Sequence, residues 1–478
     1  MKHLTFLAFL LISLNSFPQN YVGNWKGEVL DGDSIIHFKM NVIIQRDTTI
    51  GGTLFEPTTC LLADSSFYGN SFHLKSPKRP ESFRGEKRNI TFTGELTSDK
   101  NQLKGILAIA GKEYHLQMRR SDKIVLRPQE PKAPFPYCSE DVKFFNRIDQ
   151  TVVAGTLTKP LNEGKFPAVI LKGGSSPCDR DGDRNSLRAE GHKFFLVLAD
   201  YLTRNGIAVL RCDDRGIGRS SGDFWESTPA DLAGDLLAGY EFLALRKDIR
   251  SNEIGLIGAS EGGLDIAIAA SQNPYIKFVV MLAGVGIPLR ETFEQQTELK
   301  YQNGDISREQ FDQVNKVHAK TNQLLNMNPK SIRDSINRLM DKDIKASVDS
   351  FVGINPENKL ELEAMIRLSF SRMSSPHYLF NLKANPSEYI EKLSCPVLSL
   401  NGDKDILVSA KNNQEAIRKS LQKAGNKDFT IIELPGLNHS FQECQTGSMK
   451  EYSTIEQTIS PKVLDLITNW IIEHTSLE

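Results

Sequence analysis

The chain has 478 residues, 39 % hydrophobic and 24 % charged, and its 58 basic and 59 acidic side chains leave a formal net charge of −1. That length allows two or three domains around a large core, and the even balance of charge implies no nucleic-acid or other polyanionic partner. Six cysteines (Cys60, Cys138, Cys178, Cys212, Cys395, Cys444) include no C-x-x-C pair, so neither a zinc cluster nor a redox pair is suggested.

Met1-Lys2-His3 followed by apolar Leu4 to Leu14 has the charged start and apolar middle of a secretory signal, read as residues 1–19. The apolar part is too short to span a bilayer and no later run reaches about 18 residues. Export to the periplasm or the exterior, without stable membrane insertion, is therefore the expectation. Residues 20–127 have a β texture of short alternating runs, such as Ile35 to Ile44, Gln102 to Ala108 and Tyr114 to Met118, divided by polar turns. A small antiparallel sandwich or open barrel is expected. Its His37, His73 and His115 read as surface or packing residues, and Trp25 as a core plug rather than a sugar platform.

Arg127 to Pro136 holds four prolines and reads as a stiff, extended connector, with residues 128–137 as the linker. The rest, 138–478, changes pattern. Val142 to Asn146 and Val152 to Thr158 form a hairpin. Apolar runs at Ala168 to Leu171, Ile207 to Arg211, Ile254 to Ile257, Phe278 to Leu282, Val397 to Leu400 and Thr430 to Leu434 then alternate with helices. Continuous apolar runs of this kind mean a mostly parallel sheet, here of eight strands, covered by helices on both faces: an α/β class. About 288–386 lacks strong strands and reads as a helical cap inserted over the strand ends.

The chemistry centres on Ile254 to Gly263. An apolar strand leads into Gly258-Ala259-Ser260-Glu261-Gly262, and a helix follows. This is G-x-S-x-G in its strand–turn–helix setting, where a sharp turn lifts the serine hydroxyl above the sheet edge. Ser260 is the candidate nucleophile. Of nine histidines, His439 stands in the loop Pro435 to Phe441 after the last strand, where parallel sheets place reactive groups. It is the candidate base. Asn401-Gly402-Asp403-Lys404-Asp405 follows the preceding strand and offers two acids; Asp405 is preferred as the residue that orients His439, because Asp403 can close the turn itself. The loop Lys172 to Asp181 supplies small residues, and the backbone amides of Ser175 and Glu261 are the candidate oxyanion donors. A phosphate loop is the rival reading of that glycine run, but G-x-x-x-x-G-K-[ST] is absent. The ionic residues of Asp213 to Ser220 read as loop braces.

Gly258 to Gly263, Asp214-Arg215-Gly216-Ile217-Gly218-Arg219-Ser220 and Leu434 to His439 together resemble bacterial secreted serine esterases of the α/β-hydrolase superfamily, and Pro177 to Asp181 fits the prolyl-oligopeptidase-like branch. The likeness runs from about Pro134 to the C-terminus. It implies hydrolysis of small carboxylic esters, short acyl chains included, through Ser260, Asp405 and His439, with neither metal nor organic cofactor. It also implies an N-terminal β module of unassigned role. Two positions depart from the pattern: Ser176 stands where the oxyanion loop usually has a second glycine, and Cys178 where it usually has a polar amide. An exopeptidase on the same triad is the alternative within enzymes; an inert surface binding protein is the alternative outside them. Oligomeric state has no signal in the sequence.

Overall fold

The computed structural model describes residues 23–475 apart from 32–33, 45–49, 57–59, 63, 69–70, 76–89, 98, 100, 110–111, 121–126, 183–191, 325–374 and 453. The expected signal segment and much of the expected cap fall outside the described residues. The chain divides into two compact units, Met1–Leu126 and Arg127–Glu478.

The first unit is a single antiparallel sheet of nine strands: β1 (Gly23–Asp31), β2 (Ser34–Ile44), β3 (Ile50–Glu56), β4 (Cys60–Leu62), β5 (Asp64–Tyr68), β6 (Ser71–Lys75), β7 (Ile90–Leu96), β8 (Gln102–Ile109) and β9 (Lys112–Arg120). Its order is β4-β3-β2-β1-β9-β8-β7-β6-β5. The two ends curl toward each other, β3 approaching β5 and β6, and β4 approaching β7. Alternation gives the sheet a buried face: Ile90, Phe92, Leu103, Leu107, Leu116 and Met118 form a core. Trp25 is fully buried in it, with the Arg120 guanidinium 4.4 Å from its ring centre. His73 is tied to Thr93 Oγ1 through Nδ1 at 2.7 Å, a packing role.

The second unit is an eight-stranded sheet built from β10 (Tyr137–Phe145), β11 (Val152–Pro160), β12 (Phe166–Lys172), β13 (Ala208–Cys212), β14 (Ile249–Ala259), β15 (Val279–Leu282), β16 (Val397–Gly402) and β17 (Phe429–Leu434). The order is β10-β11-β13-β12-β14-β15-β16-β17; β11 is antiparallel to both neighbours and every later pairing is parallel. This is the α/β-hydrolase fold. Helices α1 (Phe194–Arg204), α2 (Pro229–Ala244), α3 (Gly262–Gln272), α4 (Leu289–Gln302), α5 (Arg308–Leu324), α6 (Pro376–Lys383), α7 (Ser387–Ile390), α8 (Ala410–Lys423) and α9 (Pro461–Glu473) accompany it.

Strand β12 shows why these strands are apolar throughout. Ile170 packs in one core with Leu210, Leu256, Met281 and the α3 residues Leu264 and Ile268. Val169 and Leu171 pack in the other, with Val209, Ile257, Val280, Leu398 and the α9 residue Ile467. Each such side chain contributes about 1.5–3 kcal/mol by leaving water, so a polar substitution on either face is costly. Helix α2 is stopped at its start by a reciprocal cap. Thr228 Oγ1 accepts from Asp231 N, and Asp231 Oδ2 accepts from Thr228 N.

The proline-rich stretch is not a free connector at its start; it is fastened to the second unit. Arg127 Nη1 donates to Ile455 O at 2.8 Å, Gln129 Nε2 to Ile459 O at 2.7 Å, and Thr458 N to Gln129 Oε1 at 2.6 Å.

Candidate active site

Registers set the site. Lys172 lies level with Gly258, Ala259 with Leu282, Leu282 with Leu400, and Gly402 with Leu434. The loops after β12, β14, β16 and β17 therefore leave one edge of the sheet at a common height. They carry Ser175, Ser260, Asp405 and His439.

Ser260 has φ +58°, the left-handed region that a non-glycine residue enters at a cost. Its amide donates to Leu282 O at 2.8 Å, which anchors the turn to the neighbouring strand. The flanking glycines are required by approach distance. A Cβ on Gly258 would sit 2.3 Å from Gly262 O, and one on Gly262 would sit 2.4 Å from Gly173 O and 2.7 Å from Lys172 O. Any larger residue would push the start of α3 away from the loop after β12.

Asp405 and His439 are in contact: Nδ1 of the imidazole is 2.7 Å from Asp405 Oδ2. The Asp405 side chain is fully buried, and its Oδ1 accepts from the amides of Leu407 at 2.8 Å and Val408 at 2.9 Å. Three hydrogen bonds fix that carboxylate. Asp403 does something else: its Oδ1 accepts from Gly436 N at 2.6 Å and closes the turn after β17. The loop holding His439 is itself clamped. Asn438 Oδ1 accepts from Gln442 N at 3.0 Å, Asn438 Nδ2 donates to Gln442 Oε1 at 2.9 Å, and Gln442 Nε2 lies 3.0 Å from His192 Nε2. His192 Nδ1 in turn meets Thr458 Oγ1 at 3.1 Å. Burial, aided by the positive charge of Arg127, pushes the His192 imidazole down to about 4, so it stays neutral. Sequence reading left Gln442 unnoticed, although an amide four residues after Asn438 is a pattern that suits a loop clasp.

The loop after β12 is held by charge. Lys172 Nζ donates to Asp214 Oδ1 at 2.7 Å, while Asp214 Oδ2 accepts from Cys178 N at 2.9 Å. Arg180, 2 % exposed, grips Asp213 in a fork, Nε to Oδ1 at 2.9 Å and Nη2 to Oδ2 at 2.6 Å. Burial alone would raise Asp213; the Arg180 fork outweighs it and holds the carboxyl below its usual range. Arg215 pairs with Asp235 and Asp149. Among the described residues, the amides of Ser175 and Glu261 donate to no other group of the protein, so both are available to a ligand. Gly174 and Ser176 share that property, and hydrogen bonding alone does not single out Ser175.

Cys178 in the loop after β12 and Cys444 five residues beyond His439 both stand near the site in sequence, yet they form no disulfide. Cys178 turns its thiol to Asp214 Oδ2 and Cys444 turns its thiol to Gly436 O, and neither is in a disulfide. Among the described residues there is no group of three or more His, Cys, Asp or Glu side chains placed to hold a metal ion. No described helix is long and apolar enough to cross a membrane.

A family model described as Hydrolase_4, serine aminopeptidase S33, matches residues 188–303, which include Ser260 but neither Asp405 nor His439. Esterase EstD of Thermotoga maritima is 25 % identical over 336 residues, covering 70 % of this chain and 69 % of that protein. An uncharacterized 31.7 kDa protein from the traX-finO intergenic region of Escherichia coli is 24 % identical over 266 residues, 53 % of this chain and 77 % of its own length. Among solved structures, hypothetical protein PA2218 of Pseudomonas aeruginosa aligns with a TM-score of 0.43 at 16 % identity, over 75 % of this chain and 99 % of its own. The α/β hydrolase GrgF of Penicillium sp. sh18 aligns at 0.41 and 16 % identity, over 71 % of this chain and all of its own.

Proposed function

We propose that the chain is a carboxylic ester hydrolase that works through a Ser260–Asp405–His439 triad and an acyl-enzyme. The observation that carries this reading is the His439 Nδ1–Asp405 Oδ2 contact of 2.7 Å at the strand edge from which the strained Ser260 also leaves. Asp405 fixes the tautomer in which Nε2 is free to take a proton. His439 removes the Ser260 proton, the alkoxide attacks the ester carbonyl, and the Ser175 and Glu261 amides receive the oxyanion. The tetrahedral intermediate expels the alcohol as His439 returns the proton to it. Water activated by His439 then attacks the acyl-enzyme and frees the acid and Ser260.

The name of the Thermotoga relative, an esterase, supports the substrate class. Short acyl chains, export through residues 1–19 and kinship with the prolyl-oligopeptidase-like branch belong to the same proposal. The two-part organisation with a separate β module belongs to it as well.

The description of the matching family, a serine aminopeptidase, favours a second reading on the same triad. An aminopeptidase must hold a free ammonium with an acid near the nucleophile. The acids beside Ser260 are Glu261 and Asp265; both are buried, one against His377 and the other near Lys172. Neither is offered to a ligand, so the ester reading is preferred. The test compares short-chain p-nitrophenyl esters with aminoacyl p-nitroanilides, then unactivated alkyl esters with matched peptides. Esters should lead by at least about a hundredfold in kcat/KM, roughly 2.7 kcal/mol; equal values would promote the peptidase.

A further inference from the structure

The residue after the nucleophile is an acid in an unusual setting. Glu261 is 3 % exposed, and neither carboxylate oxygen has a hydrogen-bond partner among the described residues. Its Oε1 nevertheless lies 2.7 Å from Nε2 of His377, off the line of a straight hydrogen bond. At that separation the Coulomb interaction of the two groups persists even where hydrogen-bond alignment is poor.

His377 is carried by α6, just inside a helix start capped by Ser375, whose Oγ accepts from Tyr378 N at 3.2 Å. The imidazole is 1 % exposed. Its ring centre is 4.4 Å from that of Phe224 and 5.8 Å, edge-on, from that of Trp225, and its amide donates to Trp225 O at 3.3 Å. The imidazole is thus held against Glu261 by aromatic walls.

Among the described residues the other charged groups around this pair are acids with one cation. Asp265, one turn along α3, is buried without a hydrogen bond, and the Lys172 ammonium is 3.7 Å away. Lys172 is already bonded to Asp214. Burial pushes the Asp265 carboxyl well above the usual carboxylate range; Lys172 pulls it back, while Glu261 and Asp214 add to the push. Burial thus favours the neutral form of Asp265, and Glu261 is the acid that faces His377.

This matters because of what Glu261 is asked to do. Its amide is a candidate donor to the oxyanion formed at Ser260, so negative charge would grow beside the carboxylate of the same residue. Two like charges within a few ångströms, away from water, would slow that step by about tenfold or more.

We propose that His377 is a positioning residue for ester hydrolysis: it shares a proton with Glu261, keeps the pair net neutral, and so lets the Glu261 amide receive the oxyanion. The proposal rests on the reading of Ser260 as the nucleophile. It also explains why an acid beside a serine nucleophile here is no ammonium site, since His377 occupies the place such a ligand would need.

Four forms of the full chain test it: wild type, His377→Leu, Glu261→Gln and the double variant, each with kcat and KM for a short-chain p-nitrophenyl ester. Fluorophosphonate labelling of wild type at Ser260 is checked first, so failure of the nucleophile reading registers separately as an unlabelled Ser260. His377→Leu should lower kcat by about tenfold or more with KM changed less than about twofold. In the Glu261→Gln background, where there is no charge left to balance, the same substitution should cost less than about twofold. A purely structural histidine would cost the same in both backgrounds, and that additive result, or a loss confined to KM, overturns the proposal. Should His377→Leu fail to fold, His377→Gln takes its place with the same expectations.

Discussion

Exchanging Asp405 for asparagine isolates the orienting acid while keeping its shape. In the native protein Oδ1 accepts two backbone amides, Leu407 and Val408, and Oδ2 faces His439 Nδ1 at 2.7 Å. The introduced carboxamide would keep its carbonyl oxygen toward the two amides, because turning it would set its NH2 against two N–H donors. The NH2 then faces Nδ1, which must become an acceptor, and the proton moves to Nε2. That tautomer cannot take the Ser260 proton. The serine-protease precedent for this change is about 10⁴ in kcat, roughly 5.4 kcal/mol. Asp403→Asn is the internal control. There the carboxamide oxygen can still accept from Gly436 N, so the loss should stay below about threefold. The assay is steady-state hydrolysis of a short-chain p-nitrophenyl ester, with thermal melting to verify that both variants fold. A larger loss for Asp403→Asn than for Asp405→Asn would refute the assignment.

Two further outcomes follow from the same contacts. His192 is neutral when folded, with its proton affinity depressed from an ordinary 6.5 to about 4. The unfolded chain therefore binds more protons between those values, and stability present above about pH 6.5 drains away as pH falls through 4, by roughly 3–4 kcal/mol in all. Urea unfolding at pH 7 and pH 4.5 should show that slope reduced in His192→Gln; an unchanged slope would contradict it. A truncated form beginning at Arg127 keeps the Arg127 and Gln129 hydrogen bonds to residues 455–459 and should turn over small esters. One beginning at Pro131 loses them and should be about 1–3 kcal/mol less stable; equal melting of the two would show those anchors to be idle.

What the sequence displayed most clearly was whatever depends on neighbours in the chain. An unbroken apolar run such as Ala168 to Leu171 already announces a strand buried on both faces, and the structure extends it to Phe166–Lys172. The turn at Ser260 was legible because its demands are local, a glycine two positions away on each side being fixed by approach distances of 2.3–2.4 Å. Asp405 faces His439, while Asp403 accepts from Gly436 on the following loop rather than closing the turn beside Gly402. Contacts between distant residues carried no such signal. Glu261 and His377 are far apart in the chain, yet they lie 2.7 Å apart in the fold. The fastening of Gln129 to Thr458 and Ile459 spans more than 300 residues, so a run of prolines read as a simple connector. In the first unit, alternation gave the strands without the way their sheet rolls, because β4 and β7 meet through long-range curvature rather than local pattern.

Fluorophosphonate labelling of the full chain followed by peptide mapping tests the central claim most directly. A Ser260 nucleophile activated by His439 gives a stoichiometric adduct on Ser260 that is absent in Ser260→Ala and forms at least about a hundredfold more slowly in His439→Ala. A folded wild-type protein that stays unlabelled, or that carries its adduct on another residue, would contradict it.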